Sequence, residues 1–216
     1  SASMLADDYF PSRLEVAKQV AEEIVSSFDL GTQIGVLTFA GTSLLTQLPT
    51  QDKIDLIEGI RNIEVITSGG TAIGEAILLG TNLLTLQEGN GGKILLLLTD
   101  GQNTIGLGIE DALRYANQYG IIIHTIGIAT ESGGTFAESS AISQLDKATL
   151  IHIADATGGK FYHPKTKEDL KVSFFDIFTT KTRKVSIEAQ NHLLLLAVLL
   201  FFIEWIFANT RYRIMP

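Results

Sequence analysis

An uninterrupted aliphatic run that ends on a carboxylate constrains this chain more than any other feature. Residues 94–98 are Ile-Leu-Leu-Leu-Leu, and Thr99, Asp100 and Gly101 follow directly. Five aliphatic residues without alternation are typical of a parallel-sheet strand that is buried on both faces. In an open α/β sheet, ligands bind outside the carboxyl ends of such strands. Asp100 is therefore a candidate site residue, and the alternative is an aspartate that only opens the turn before Gly101.

Apolar periodicity divides most of the chain into alternating helices and strands. Helical spacing predicts helices over 11–28, 52–60, 72–86, 109–119, 146–156 and 167–181. Apolar runs predict strands over 33–39, 43–48, 93–99, 121–127 and 160–163, and a polar loop over 130–140. This alternation predicts an α/β fold with a doubly wound, mostly parallel sheet and helices on both faces. Such a fold opens with a buried strand before its first helix, so we expect its first central strand to lie upstream of Ser1.

The charge balance and the absence of cysteine exclude several classes of function. Acidic residues outnumber basic ones by 24 to 16, and no basic stripe is visible, which argues against nucleic-acid binding. The chain has no cysteine, so disulfides, zinc-thiolate sites and thiol chemistry are excluded.

The end of the chain is the most apolar stretch. Residues 193–203 are all apolar, and after Glu204 the apolar run resumes as far as Ala208. A helix of roughly 16 residues reaches roughly 24 Å, close to the roughly 30 Å of a bilayer core. Polar, aromatic and basic residues flank the run on both sides, as in membrane anchors. We predict one C-terminal transmembrane helix over 193–208, and the alternative is a buried core helix.

Two further features have a functional and a structural interpretation. The loop Ser68-Gly69-Gly70-Thr71 precedes a predicted helix, so its backbone N–H groups could bind an anion, or Thr71 could simply cap the helix. His124 lies inside a predicted buried strand with no carboxylate or second histidine nearby in sequence. We interpret it as a core histidine with a hydrogen-bond partner and not as a metal ligand.

Three hydroxyls and one carboxylate form the strongest candidate site. In the predicted fold, Ser1, Ser3, Thr71 and Asp100 all lie at the carboxyl edge of the sheet. Neutral oxygens with few carboxylates suit a hard divalent cation, Mg²⁺ or another such as Mn²⁺, with water completing the coordination shell. Few charged ligands leave the metal electrophilic, so an acidic group from a partner can bind to it.

The motifs around these residues resemble a known metal site. Ser1-Ala2-Ser3-Met4, Gly70-Thr71-Ala72-Ile73-Gly74 and Leu98-Thr99-Asp100-Gly101 resemble, in order and spacing, the metal-ion-dependent adhesion site of von Willebrand factor A domains. Residues 11–14 and 35–41, Gly127 and the closing apolar segment are similar to the BatA/BatB, aerotolerance-type branch. The resemblance covers essentially the whole chain.

The resemblance implies a ligand set and a domain organisation. Ser1 and Ser3 would be direct hydroxyl ligands, Thr71 a direct or water-mediated ligand, and Asp100 a carboxylate that acts through water. The motif's own aspartate would lie two positions before Ser1, so we expect this fragment to bind metal poorly and its sheet to have a gap between strands 33–39 and 93–99. The implied organisation is an N-terminally truncated A domain over 1–182, a juxtamembrane linker over 183–192, the span over 193–208 and a short basic tail over 209–216.

The leading functional hypothesis is a membrane-anchored interaction module that is not an enzyme. It would bind a partner's acidic residue through Mg²⁺, and similarity to the Bat branch implies partners among other Bat-type membrane proteins and MoxR-type AAA+ ATPases. A bacterial inner membrane, with the A domain on the periplasmic side, is the expected location. The alternative is a Mg²⁺-dependent phosphoryl-transfer enzyme, which needs a phosphate-neutralising lysine near the site. Lys93 lies at the wrong end of its strand, and neither Lys160 nor Lys165 has a motif around it.

Overall fold

The computed structural model describes residues 1–27, 32–65, 69–87, 91–129, 134–136, 139–143, 145–179 and 197–205. The chain divides into two compact units, Ser1–Lys181 and Thr182–Pro216. The predicted linker over 183–192 and the basic tail over 209–216 lie outside the described residues.

The first unit alternates helices and strands as predicted. It opens with a 3₁₀ turn at Ala2–Leu5. The helices are α1 (Arg13–Ser27), α2 (Lys53–Arg61), α3 (Ile73–Thr85), α4 (Ile109–Gln118), α5 (Lys147–Thr157) and α6 (Lys167–Thr179). The strands are β1 (Ile34–Phe39), β2 (Ser43–Thr50), β3 (Ile94–Thr99), β4 (Ile122–Gly127), β5 (Gly134–Phe136), β6 (Ser139–Ser143) and β7 (Phe161–Tyr162).

The main sheet is parallel, in the order β3-β4-β7. β3 pairs with β4 along its whole length, from Ile94 opposite Ile122 to Thr99 opposite Gly127. β1 and β2 form a separate antiparallel pair. Both β1 and β3 pack on α3, yet within the described ranges no strand pairs with both of them. This is the position at which the resemblance leads us to expect a further central strand.

Helices cover both faces of the parallel sheet, which confirms the predicted α/β architecture. Alternate residues of a strand point to opposite faces. One face, with Leu96, Leu98 and Ile126, packs against α1 and α6. The other face, with Leu97 and Ile123, packs against α3, α4 and α5.

The burial of β3 differs from the prediction. Leu97 is buried, but Leu95, Leu96 and Leu98 are only partly buried, whereas most of β4 is fully buried. β4 is paired on both of its edges, while β3 pairs only with β4 among the described strands. The run of aliphatic residues therefore marks a strand suited to a more central position than it has here.

Helix α1 buries part of the face that its apolar spacing indicates. Ala17, Ile24 and Val25 recur at helical spacing and are buried. Leu14 and Ala21 share that spacing and are only partly buried, while Val16 and Val20 are also buried. Arg13, at the start of the helix, is completely buried, so the buried stripe begins on a charged residue.

A short hairpin replaces part of the predicted loop over 130–140. β5 and β6 pair antiparallel, with Phe136 opposite Ser139, and β5 lies beside the 3₁₀ turn. The polar composition of this stretch gives no strand signal, because its pairing partner is local and it contributes no apolar run. Residues 130–133, 137–138 and 144 lie outside the described residues.

The predicted transmembrane helix falls in the second unit. Residues 197–205 are helical, and their side chains are exposed. The rest of the predicted span, 193–196 and 206–208, lies outside the described residues. Within the residues that the structure describes, no helix has both the length and the apolar character that a bilayer crossing requires. The span stays a prediction.

Candidate functional site

Three hydroxyls from distant parts of the chain meet at the edge of the sheet. Ser1 Oγ lies 3.1 Å from Thr71 Oγ1, and Ser3 Oγ donates a hydrogen bond to Ser1 Oγ at 3.3 Å. The backbone nitrogen of Ser1 donates to the carbonyl of Phe39, at the end of β1. We call Ser1, Ser3 and Thr71 the hydroxyl cluster. The structure thus brings together the three hydroxyls that the sequence singled out.

The backbone of Thr71 is held on both sides. Its N–H donates to Thr104 Oγ1 at 2.8 Å, and its carbonyl accepts from the N–H of Thr104 at 2.9 Å. The next residue, Ala72, donates its N–H to the carbonyl of Ala40, which follows β1. Thr71 is only 5% exposed, so its hydroxyl has a fixed position beside Ser1.

Thr71 does not cap helix α3, so the interpretation of this residue as a helix cap is wrong. The N-cap is Ala72, which makes no side-chain cap bond. Instead, Asn103 Oδ1 accepts from the N–H of Ile73 at 2.8 Å. The amides of Thr71, Ala72 and Ile73 all donate within the protein, so they cannot serve as the anion cradle that the glycine-rich loop suggested.

Asp100 lies where β3 ends, and it is 3% exposed. Its Oδ1 accepts from Thr99 Oγ1 and from the N–H of Gln102, both at 3.4 Å. Its carbonyl accepts from the N–H of Asp146 at 2.7 Å. These contacts anchor the strand end to the start of α5 and hold the carboxylate in place.

The negative charge of Asp100 acts on the amino group of Ser1. Burial lowers the pKa of the Ser1 amino group below its usual value, and the charge of Asp100 opposes this by raising it. Asp100 is therefore close enough to Ser1 for its charge to act there. A cation placed there would be attracted by Asp100.

Sequence reasoning missed four residues that hold this site. Asn103 and Thr104 bind the start of α3 from a loop 30 to 33 positions away. Arg13 forms a buried ion pair with Asp8 and donates from Nη1 to the carbonyl of Ser3 at 3.3 Å. The sequence contains one signal for this buried arginine, the Pro11-Ser12-Arg13-Leu14 motif. That motif was part of the resemblance, but it gave the Arg13 side chain no role.

The interpretation of His124 agrees with the structure. The side chain is 4% exposed, and its Nδ1 accepts from the N–H of Lys160 at 3.0 Å. Burial lowers the pKa of His124, the positive charge of Lys160 lowers it further, and Asp176 opposes them. Among the described residues, no group of three or more His, Cys, Asp or Glu side chains is placed to hold a metal ion.

The fold and the site define a class of protein. Residues 1–102 match the family model of the von Willebrand factor type A domain, a range that contains the whole hydroxyl cluster and Asp100. Over this range the chain is similar to von Willebrand factor type A domains.

Within that class, this chain resembles the aerotolerance-type Bat proteins. A BatB protein from Bacteroides thetaiotaomicron has a TM-score of 0.73 at 28% identity, over 85% of this chain and 95% of that chain. A serine-substituted aerotolerance-related membrane protein from Bacteroides fragilis has a TM-score of 0.72 at 28% identity, over 82% and 92%. A UPF0353 protein from Nocardia farcinica is 33% identical over 193 residues, 79% of this chain and 57% of that protein. The chain spans just over half the length of the curated relatives it matches.

Proposed function

We propose that this chain is a metal-dependent protein-interaction module. The hydroxyls of Ser1, Ser3 and Thr71, together with the carboxylate of Asp100, would hold Mg²⁺ or a similar divalent cation such as Mn²⁺. Bound there, the ion supplies a positive charge with room in its coordination shell for a carboxylate of the partner. The residues of the chain hold the oxygen ligands in place, and the proposed function requires no chemical reaction from these residues.

The spacing of the hydroxyls fits such an ion. Oxygen ligands lie about 2.1 Å from Mg²⁺, so neighbouring ligands of an octahedron are about 3 Å apart. Ser1 Oγ and Thr71 Oγ1 are 3.1 Å apart, and Ser3 Oγ and Ser1 Oγ are 3.3 Å apart. Three hydroxyls can therefore become adjacent ligands with only small shifts. Asp100 adds a negative charge, which offsets part of the charge of the cation.

The observation that carries the proposal is the direction of the Thr71 hydroxyl. A threonine at a helix start normally caps the helix, and here Asn103 has taken that role. The Thr71 hydroxyl is directed at Ser1 instead. Because the neighbouring amides are already used inside the protein, the arrangement favours a cation over a phosphate, and so an interaction module over phosphoryl transfer.

The proposed setting is a bacterial inner membrane. The Bacteroides fragilis relative is named a membrane protein, and residues 193–208 are apolar apart from Glu204. We place the A domain on the periplasmic side. Similarity to the Bat branch makes other Bat-type membrane proteins the proposed partners at the metal site. A MoxR-type AAA+ ATPase is the proposed partner on the cytoplasmic side of the membrane.

Calorimetric titration with Mg²⁺ tests the metal site. It compares the full chain in detergent with a version preceded by the strand and the aspartate that the resemblance expects. We expect the extended version to bind Mg²⁺ more tightly, and its Asp100→Asn variant to bind more weakly. Asp111→Asn is the matched control, because Asp111 is exposed on α4. If neither version binds Mg²⁺, even with a candidate partner present, the hydroxyl cluster is structural and the proposal is wrong.

A further inference from the structure

Arg13 is buried to a degree that is rare for an arginine. Its side chain is 0% exposed, and that of its partner Asp8 is 7% exposed. Nε donates to Asp8 Oδ1 and Nη2 to Asp8 Oδ2, both at 2.7 Å. This is the two-bond geometry in which a planar guanidinium meets a carboxylate best. The orientation of the guanidinium is therefore fixed.

The remaining arm of the guanidinium reaches the 3₁₀ turn that carries the serines. Nη1 donates to the carbonyl of Ser3 at 3.3 Å, and the same carbonyl accepts from the N–H of Ala6 at 3.3 Å. The backbone N–H of Arg13 donates to the carbonyl of Ala6 at 3.1 Å. One residue thus holds the turn at two carbonyls, one of which belongs to Ser3.

Charge balance explains why this residue is paired. An unpaired guanidinium close to a cation site would repel the cation. The carboxylate of Asp8 neutralises Arg13, so the pair can fix the turn without adding net positive charge. Replacing a buried ion pair by apolar residues is often neutral or even stabilising, so the contribution of this pair to stability alone is a weak reason for its presence.

We propose that Arg13 is a positioning residue for the hydroxyl cluster. Through its bond to the carbonyl of Ser3, and with Asp8 fixing its plane, Arg13 holds the 3₁₀ turn in the conformation that presents Ser1 and Ser3 to Thr71. This inference rests on the proposed metal-binding function, and it extends that function to two residues that would not touch the metal.

Two variants separate positioning from stability. Arg13→Lys keeps the charge but has no fork that can bind Asp8 and the Ser3 carbonyl together. The double variant Asp8→Leu with Arg13→Met fills the space with apolar groups and is expected to keep the fold. Arg61→Lys is the control, because Arg61 also binds one carboxylate, that of Glu22, through Nε and Nη2 but lies exposed on α2.

The first readout is hydrogen exchange without metal, and the second is Mg²⁺ titration. Both are made on the chain preceded by the expected strand and aspartate. We expect the amides of Met4 and Ala6 to exchange faster in both variants, and Mg²⁺ to bind about 10- to 100-fold more weakly, the usual effect of losing a residue that orients a ligand. The thermal transition should stay cooperative, and Arg61→Lys should match the parent.

The outcomes distinguish this inference from the proposed function. If the parent binds Mg²⁺ and both variants bind it equally well, the positioning role is wrong and the metal site stands. If exchange at Met4 and Ala6 is unchanged, the role is also wrong. If the parent binds no Mg²⁺, the proposed function is wrong. Faster exchange of the Met4 and Ala6 amides in the variants would then show only that Arg13 stabilises the 3₁₀ turn.

Discussion

The proposed role of the Thr71 hydroxyl in metal binding can be tested separately from the fold. The main chain of this residue is held by Thr104, so removing the hydroxyl should leave the backbone in place. We expect Thr71→Ala to lose about 1 kcal/mol of stability, the worth of one hydrogen bond. We expect a much larger relative loss of Mg²⁺-dependent partner binding, measured by pull-down with Mg²⁺ or with a chelator.

A threonine at the other end of the same helix provides the control for this experiment. Thr85 Oγ1 donates to the carbonyl of Asn82 at 2.8 Å, far along α3 from the hydroxyl cluster. Thr85→Ala should cost a similar amount of stability and leave partner binding unchanged. Loss of the cooperative thermal transition in Thr71→Ala would show that this hydroxyl is structural.

His124 gives the molecule a predictable response to acid. Burial and Lys160 lower the pKa of His124 in the folded state, so the unfolded chain, with a pKa of about 6.5, binds the proton first. Above about pH 6.5, His124 is neutral in both the folded and the unfolded chain, so it does not change the free energy of unfolding. As the pH falls below that value, proton uptake by the unfolded chain lowers the free energy of unfolding.

Thermal melting at pH 7.5 and pH 5.5 measures this effect. We expect the parent to lose more stability between these pH values than His124→Gln does. His152→Gln should behave like the parent, because His152 is half exposed and its Nε2 contacts the exposed Glu110. An equal loss in the parent and in His124→Gln would show that other groups dominate the acid response.

At the scale of elements, the junction between β3 and α5 depends on a glycine. Gly101 has a φ of +87°, and a Cβ there would lie 2.5 Å from the carbonyl oxygen of Asp146. We expect Gly101→Ala to lose about 2–4 kcal/mol, from backbone strain and from the clash together. Gly158 has a φ of +73° with open space around it, so Gly158→Ala should lose only about 1 kcal/mol. Urea unfolding measures both losses. An equal loss of stability in Gly101→Ala and Gly158→Ala would contradict the predicted clash with Asp146.

Sequence patterns predicted the elements better than the contacts between them. The helix and strand positions follow from local apolar periodicity, and the structure places them within a few residues of the predicted bounds. The cap that Asn103 gives to α3 joins residues 30 positions apart, so no local pattern contains it. The buried Arg13 is a stronger case, because a charged residue at a helix start is ordinarily solvated. Its hydrogen bonds to Asp8 and to the carbonyl of Ser3 favour its burial, and local periodicity does not reveal them.

At the scale of the whole molecule, the candidate site is a product of several elements. The 3₁₀ turn brings Ser1 and Ser3, the start of α3 brings Thr71, and the end of β3 brings Asp100. Predicting that they meet required the parallel-sheet topology, since only the shared carboxyl edge places these elements together. The aliphatic run of β3 predicted that topology. The prediction of a gap between β1 and β3, where no described strand pairs with both, came from the resemblance and not from the residues themselves.

The last prediction concerns attachment of the whole molecule to a membrane. Residues 193–208 carry a single charge, Glu204, and removing them takes away most of the surface that could enter a bilayer core. We expect deletion of residues 193–216, in the chain that begins at Ser1, to move the protein from the membrane pellet to the supernatant after high-speed centrifugation. Deletion of 209–216 alone is the matched control, and it should leave the protein in the pellet. If the longer deletion still pellets with membranes and resists alkaline extraction, the anchor lies elsewhere in the chain.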